Sequence, residues 1–194
     1  MRTLKIQQAT FMDQERELSQ EEYKTLVKTA QRQGNERLVM LLQTICATGI
    51  RVSEVRAVTV EALRRRQAEI RSKGKIRLIL LPDKLCRQLL RYCEKRNISS
   101  GQVFVTRTGR PLDRSNIWKM MKRLAAQARV GLRKAFPHSL RHLFACTYYQ
   151  KYKDIVRLAD ILGHSSVDTT RIYTAKNVNE QQRQLEYLNL LICV

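Results

Sequence analysis

The sequence predicts an α+β domain that is mainly helical and contains one small antiparallel β-sheet. Apolar residues recur at helical spacing along most of the 194-residue chain, and only residues 68–81 have strand character over any length. Hydrophobic residues make up 43% of the chain, which is above the content typical of disordered proteins. We therefore expect one folded domain over residues 18–194. Residues 1–17 are polar and are expected to be a linker or the stub of a missing domain.

Two helices are predicted at the start of this domain. The sequence SQEE at residues 19–22 is a capping box, and apolar residues follow it at helical spacing until Gly34. A second, more buried helix is predicted over about residues 36–47, with Gly49 just beyond its end. Ser53 is expected to cap a short helix that follows Arg51.

A β-hairpin is predicted next. Residues 68–71 and 76–81 flank the sequence SKGK at residues 72–75, so the turn would carry two lysines. A third short strand is expected over residues 103–106, ahead of a turn at Thr108 and Gly109.

The other predicted elements are helices. Pro82 and Asp83 open one of them, and Asp113 caps a basic amphipathic helix. Four further helical segments fit the rest of the chain, over 139 to about 152, 154–162, 166–173 and 178–191.

The charge of the chain indicates a polyanionic partner. It has 37 Lys and Arg against 17 Asp and Glu, a formal net charge of +20, which is far more than solubility requires. Each phosphate that a basic protein neutralises releases condensed counterions, so double-stranded DNA is the expected partner. A membrane surface could also attract this charge, but the sequence has no long apolar run, signal-peptide core or lipidation motif, so no membrane partner is expected.

The cysteines and histidines indicate a reducing, cytoplasmic environment and no metal centre. The five cysteines are Cys46, Cys86, Cys93, Cys146 and Cys193. Their number is odd and no C-x-x-C pair occurs, so small core residues are expected rather than disulfides or zinc ligands. With three histidines and no H-E-x-x-H motif, neither a metal nor another cofactor is expected.

Several residues that could transfer a phosphoryl group without a metal stand in short motifs. The motifs are ATGIRVSE (47–54), SKGK (72–75), HSLRH (138–142) and LGHS (162–165), followed by a tyrosine. The order and spacing of these motifs point to DNA strand exchange. The candidate catalytic residues are Arg51, Lys73, His138, Arg141, His164 and Tyr173.

The two arginines and the tyrosine have complementary chemistry. The guanidinium groups of Arg51 and Arg141 are always charged and match the non-bridging oxygens of a phosphodiester, where charge gathers in the transition state. Tyr173 is the candidate nucleophile. A phenol has an ordinary pKa near ~10, so it needs a base and nearby positive charge, which His138 or a guanidinium could supply.

The other candidates serve proton transfer and orientation. A lysine on the hairpin turn, Lys73 or its neighbour Lys75, could protonate the leaving oxygen. His138 and His164 could hydrogen-bond phosphate oxygens or move protons near neutral pH, whereas His142 faces elsewhere on its helix. Glu54 is expected to orient Arg51 or a neighbouring base.

Basic residues around the hairpin and on the amphipathic helix are expected to contact phosphates along the DNA backbone. Such contacts position DNA without reading its sequence. These residues are Arg64, Arg65, Arg66, Lys75, Arg77, Lys119, Lys122 and Arg123.

From about Ser19 to Tyr173 these motifs resemble the catalytic domain of the tyrosine recombinase (phage integrase) family, which includes the Xer-type chromosome recombinases. All six active-site positions of the family have a counterpart here. The resemblance also favours Lys73 over Lys75, because the family pattern places the acid before the turn glycine. The resemblance implies a 3′-phosphotyrosine intermediate, a 5′-hydroxyl leaving group, and religation without ATP or metal. It further implies that an N-terminal core-binding domain is missing before residue 18.

The function implied is that of a site-specific DNA recombinase or integrase. It would work as a homotetramer on two recombination sites, with protomers that associate weakly without DNA. Two alternatives remain: a type IB-like relaxing topoisomerase, and a basic DNA-binding protein without catalysis. The six matching positions argue against the last alternative, because binding alone does not require a tyrosine at a fixed interval after His164.

Overall fold

The computed structural model describes residues 17–72, 75–106, 108–164 and residue 170. It confirms the mainly helical α+β fold with a small antiparallel sheet. In chain order the elements are α1 (Gln20–Arg32), α2 (Glu36–Thr48), the 3₁₀ helix Val52–Ala57, α3 (Val60–Arg65), β1 (Gln67–Ser72), β2 (Lys75–Leu80), α4 (Asp83–Lys95), α5 (Arg114–Ala128), α6 (Pro137–Tyr152) and α7 (Ile155–Leu162).

Side-chain caps fix several helix starts where the sequence predicts them. Ser19 Oγ accepts the Glu22 N–H at 3.1 Å, and Glu22 Oε2 accepts the Ser19 N–H at 2.8 Å, which completes the capping box. The carboxylates of Asp113 and Asp154 cap α5 and α7 in the same manner. Each cap satisfies backbone N–H groups that have no partner within the helix.

Helix α2 lies at the centre of the core. It packs against α1, α4 and α6, and its side chains Leu41, Leu42 and Ile45 have no exposed surface. Helix α7 packs on α6 through Leu158 and Leu162. This packing brings the C-terminal ends of α2 and α7 next to the first turns of α6.

The two strands form the predicted hairpin, with Gln67 opposite Leu80 and Ser72 opposite Lys75. In β2 the side chains Ile76 and Leu78 are 64% and 54% exposed, whereas Ile79 is 4% exposed. Because successive side chains of a strand point to opposite faces, one face of the hairpin lies on the domain and the other is open.

The third strand predicted over residues 103–106 is wrong. Two isolated bridges, Thr59 with Gln102 and Val105 with Pro111, occur there instead. Val103 and Phe104 are neighbours and both are buried, which the alternating side chains of a half-buried strand do not allow.

Two details next to Arg51 also differ from the prediction. Arg51, and not Ser53, is the residue that precedes the short helix, which is a 3₁₀ helix. Helix α3 is not among the elements predicted from the sequence. Its first turn is capped by Thr59 Oγ1, which accepts the Ala62 N–H at 3.1 Å.

Within the described residues no helix is both long and apolar enough to cross a membrane. The helices predicted over 166–173 and 178–191 and the segment 1–16 lie outside the described residues.

Gly49 ends α2 in the left-handed region, with φ at 63°. A Cβ atom there would lie 2.6 Å from Phe144 Cδ1 and 3.0 Å from Leu162 Cδ2.

We expect Gly49→Ala to lower the free energy of unfolding by about 2–4 kcal/mol, because backbone strain adds to overpacking. Gly34→Ala is the matched control, since Gly34 has φ 64° but nothing within 4 Å of a Cβ. It should cost about 1 kcal/mol in the same thermal or denaturant unfolding experiment. Equal losses in the two variants would contradict the role of Phe144 packing.

Candidate active site

A pocket of about 330 Å³ lies between the end of α2, the 3₁₀ helix and the starts of α5 and α6. Three of the predicted catalytic residues line it: Arg51, His138 and Arg141. They come from two distant parts of the sequence, so the fold itself brings them together. The remaining lining residues are Ile50, Val52, Ser53, Arg114, Trp118, Phe136 and Pro137.

Arg141 is held by the ends of two helices. Its side chain is only 3% exposed. Nη1 donates to the Gly49 carbonyl oxygen beyond α2, and Nη2 donates to the Leu162 carbonyl oxygen of α7 at 2.7 Å. Carbonyls at helix C-termini have no partner within the helix and form the negative end of the helix dipole. They therefore help to compensate the buried guanidinium charge.

Arg51 is more open and is held in a similar way. Nη2 donates to the Gly163 carbonyl oxygen beyond α7 at 3.2 Å, and Nη1 pairs with Glu54 Oε1 at 3.0 Å. Its side chain is 40% exposed. A guanidinium has five N–H donors, so these two bonds leave donors for an anion in the pocket.

Glu54 joins Arg51 to a third arginine. Glu54 Oε2 accepts the Arg51 backbone N–H at 3.0 Å and Arg77 Nη2 at 2.7 Å. Burial raises the pKa of this carboxyl, but the Arg51 N–H and the charges of Arg77 and Arg51 outweigh burial, so the pKa of Glu54 lies below its ordinary value. The carboxylate is therefore charged at neutral pH, as its predicted role in orienting Arg51 requires.

His164 stands behind Arg141. Gly163, in the left-handed region with φ 62°, ends α7 and turns the chain so that His164 Nε2 lies 3.1 Å from Arg141 Nη2. A guanidinium only donates, so Nε2 accepts, and Nδ1 carries the proton and donates to Thr170 Oγ1 at 2.9 Å. Burial, followed by the charges of Arg141, Arg51, Arg77 and His138, lowers the pKa of His164 to about 4. The ring is thus neutral at physiological pH and supports Arg141.

The depressed pKa of His164 makes a prediction about stability and pH. In the unfolded chain His164 takes up a proton below its ordinary pKa of 6.5, whereas in the folded chain it stays neutral down to about pH 4. Stability should therefore fall as the pH drops through this window. Thermal melting between pH 7 and 4 should show a shallower loss for His164→Asn than for the parent. Identical slopes in the two proteins would contradict the neutral state of this ring.

The two histidines of the HSLRH motif point to different places. His138, the second residue of α6, lines the pocket together with Arg141. His142 Nε2 lies 3.2 Å from Glu17 Oε1 and 3.4 Å from Cys146 Sγ, so its ring faces the neighbourhood of residue 17. This agrees with the prediction that His142 lies apart from the chemistry.

Two predicted catalytic residues lie outside the described residues, namely Lys73 and Tyr173. The hairpin whose turn holds Lys73 is present, and Lys75 is the first residue of β2. In the described ranges, no three His, Cys, Asp or Glu side chains group together as metal ligands would. The roles of the six residues, and a metal-free reaction, therefore stay predictions.

The predicted DNA-contacting residues divide into surface and internal positions. Arg64, Arg65, Arg66, Lys119 and Arg123 are exposed. Lys122 is half-buried, because its Nζ donates to the Leu132 carbonyl oxygen and lies 5.3 Å from the centre of the Trp118 ring. Burial lowers the pKa of Lys122.

The expectation that Arg77 contacts DNA needs correction. Its side chain is only 17% exposed, and its guanidinium is engaged by Glu54 and by the carbonyl oxygen of Ile161. Arg77 faces the interior because β2 presents this side of the hairpin to the domain.

Two further residues, Arg114 and Trp118, line the pocket from α5 and are not among the predicted site residues. Their spacing is a signal that could have found them. Arg114, Trp118 and Lys122 are each four residues apart and so lie on one face of α5. Trp118 is 49% exposed on this basic face, an uncommon place for a large apolar ring.

Comparison with known proteins gives consistent matches. The sequence profile of the Phage integrase family matches residues 16–180. Tyrosine recombinase XerA of Pyrococcus furiosus is 30% identical over 182 residues, which are 90% of this chain and 62% of the relative. Tyrosine recombinase XerH of Campylobacter jejuni is 34% identical over 141 residues, 70% of this chain and 40% of the relative.

Solved structures match in the same way. A crystal structure of XerA recombinase superposes with a TM-score of 0.72 at 28% identity, over 91% of this chain and 66% of that one. XerH bound to palindromic difH substrate in a post-cleavage complex gives a TM-score of 0.72 at 24% identity, over 88% of this chain and 52% of that one, and supports the fold alone. This chain spans only about 40–62% of the length of these curated relatives.

Proposed function

The chain belongs to the phage integrase family of tyrosine recombinases, and we propose that it cleaves and rejoins DNA strands as a site-specific recombinase or integrase. The observation that best supports this proposal is the convergence of Arg51, His138 and Arg141 in one pocket. The net charge of +20 supplies the attraction for a polyanion.

The pocket is suited to the scissile phosphate. In the proposal, Arg51 and Arg141 donate to its two non-bridging oxygens, where negative charge increases during attack. Helix-end carbonyls fix Arg141 beforehand, and Glu54 and Gly163 fix Arg51. Donors fixed in this way need little reorganisation when the charge develops.

The proposed first step is attack by Tyr173. The phenolic oxygen forms a bond to phosphorus as the bond from phosphorus to the 5′ oxygen breaks, which leaves a 3′-phosphotyrosine. His138, exposed at the mouth of the pocket, accepts the phenolic proton, and a guanidinium stabilises the negative charge on the phenolic oxygen. Lys73, or alternatively Lys75, gives a proton to the departing 5′ oxygen.

Rejoining reverses these steps on a second strand. A 5′-hydroxyl attacks phosphorus, the bond to the tyrosine oxygen breaks, and the protons return to their donors. One phosphodiester is lost and one is formed, so the cycle needs no energy source. In the proposal, a neutral His164 supports Arg141 throughout.

Basic residues outside the pocket are proposed to follow the DNA backbone. The exposed side chains at the end of α3 and on α5 provide positive charge outside the pocket. Trp118 and Arg114 would contact DNA next to the scissile phosphate. Assembly as a homotetramer on two sites, a cytoplasmic location, and the division into residues 1–17 and 18–194 belong to the same proposal.

Covalent capture tests this function. The probe is a pool of nicked duplexes with random sequence around the nick, so that a short 5′-hydroxyl strand can diffuse away after cleavage and leave the adduct trapped. We expect a protein–DNA band that survives denaturing electrophoresis and forms in EDTA. A mobility shift of the DNA without any covalent band would instead favour a DNA-binding protein without catalytic activity.

A second measurement separates the two enzymatic readings. The captured sequence is placed once in one supercoiled plasmid and twice in another. A recombinase exchanges the paired sites and yields deletion or inversion products, whereas a topoisomerase relaxes both plasmids without exchange.

A further inference from the structure

Arg77 connects three elements around the candidate site. It lies in the middle of β2, opposite Ile70 of β1. Its neighbours Ile76 and Leu78 are 64% and 54% exposed, so Arg77 points the other way, toward the domain. The Arg77 side chain is 17% exposed.

The Arg77 guanidinium spans two acceptors on separate elements. Nη1 donates to the Ile161 carbonyl oxygen near the end of α7 at 2.8 Å, and Nη2 pairs with Glu54 Oε2 of the 3₁₀ helix at 2.7 Å. One side chain therefore ties the hairpin to the carboxylate that holds Arg51, and also to the helix end that precedes His164.

The space for this side chain is specific. A Cβ atom on Gly163 would lie 2.4 Å from Arg77 Cδ and 2.6 Å from its Nε. The stem of Arg77 thus lies directly over the Gly163 backbone. The carbonyl oxygen of Gly163 in turn accepts from Arg51.

These contacts form a polar link between the hairpin and the candidate site. Arg77 lies four positions after Lys73, on the strand that leaves the turn. The opposite face of β2 is open, so it does not restrain the hairpin. Loss of this link would loosen β2, the strand that leaves the turn.

We propose that Arg77 is a positioning residue for proton donation: it fixes the hairpin so that the turn lysine reaches the leaving 5′ oxygen. This rests on the proposed function, because it assigns a role within the same reaction. The turn lysine gives its proton to the 5′ oxygen as the bond from phosphorus breaks, and Arg77 takes no part in the transfer itself.

The variants Arg77→Lys and Arg77→Gln test this proposal. Lysine keeps the charge, but its single nitrogen cannot reach both Ile161 and Glu54 as two guanidinium nitrogens do. Arg71→Gln is the matched control, since Arg71 is on the same hairpin and pairs with Glu69 on the exposed face, with 78% of its side chain exposed. Thermal melting of each variant reports folding.

The readout is the rate of adduct formation on two forms of the captured duplex, with oxygen or sulfur at the bridging 5′ position of the scissile phosphate. A thiolate leaves without protonation, so a defect in proton donation shrinks on the sulfur substrate. We expect Arg77→Lys to slow the oxygen substrate by about tenfold or more and the sulfur substrate by less than about threefold. Lys73→Ala should show the same pattern, and Arg71→Gln should show no change.

The double variant Lys73→Ala/Arg77→Lys should be no slower on oxygen than Lys73→Ala alone, because both changes affect one step. Equal losses on oxygen and sulfur, or additive losses in the double variant, would overturn the role of Arg77 and leave the proposed function standing. If Arg77→Gln does not fold, Arg77→Lys decides the question by the same comparison. Failure of the parent chain to form an adduct on either substrate would reject the proposed function, and this inference with it.

Discussion

Tyr173→Phe is expected to abolish the covalent protein–DNA adduct while DNA binding stays nearly unchanged. The substitution removes the oxygen that would bond to phosphorus and keeps the ring, so adduct formation should fall by more than about a thousandfold. The measurement is denaturing electrophoresis of the captured duplex, with a mobility-shift titration as the binding control.

The structure provides a control for this experiment. Tyr148, Tyr149 and Tyr152 are near Tyr173 in the sequence. In α6, Tyr148 and Tyr149 pack against buried residues, and the exposed Tyr152 lies beside Tyr148. The rings of Tyr148 and Tyr152 lie 4.8 Å apart, and Lys153 Nζ lies 5.7 Å from the centre of the Tyr149 ring. Tyr152→Phe should therefore form the adduct at the parental rate. A persistent adduct in Tyr173→Phe would move the nucleophile to another residue.

Arg141→Lys is expected to cause the second largest loss of activity. A lysine has a single nitrogen and cannot hold the carbonyl oxygens of Gly49 and Leu162, contact His164 and also reach a phosphate. We expect adduct formation to slow by about a hundredfold to a thousandfold, which is the usual effect of removing one transition-state donor. The measurement is single-turnover adduct formation on the captured duplex.

For Arg141→Lys a loss of folding must be distinguished from a loss of chemistry, because the buried carbonyl oxygens of Gly49 and Leu162 lose hydrogen-bond donors. Melting temperature and DNA binding are measured alongside, and Arg91→Lys on the exposed side of α4 serves as the control for an arginine-to-lysine change. The sulfur-substituted duplex adds a further check. Since Arg141 acts on the non-bridging oxygens, its defect should persist on that substrate, and rescue by sulfur would contradict the assignment.

Local signals explain what the sequence predicted correctly. The Ser19 capping box and the glycines after α2 and α7 act on backbone groups a few residues away, so short motifs are enough to place helix ends. The SKGK turn likewise sets the hairpin. Because the motifs of the site lie at these ends, most of the pocket could be predicted with them.

Distant contacts explain what could not be predicted. In the sequence Arg77 looks like a surface arginine that contacts DNA, but its partners Glu54 and Ile161, 23 and 84 residues away, place it inside. The same holds for Arg51 and Gly163, which are 112 residues apart. The third strand predicted over residues 103–106 does not form, because each backbone hydrogen bond there joins a different partner, including Val58 and Leu112. A periodic pattern does not reveal such pairings.

If the arginine pocket serves Tyr173 in forming a 3′-phosphotyrosine, the trapped adduct carries its nucleotide on that tyrosine, and peptide mapping locates the link. The captured complex is formed in EDTA and digested with protease and nuclease, and the modified peptide is identified by mass spectrometry. We expect a nucleotide attached through its 3′-phosphate to Tyr173, and a 5′-hydroxyl on the released strand. A link at any other residue, or a 5′-phosphate on the released strand, would contradict it.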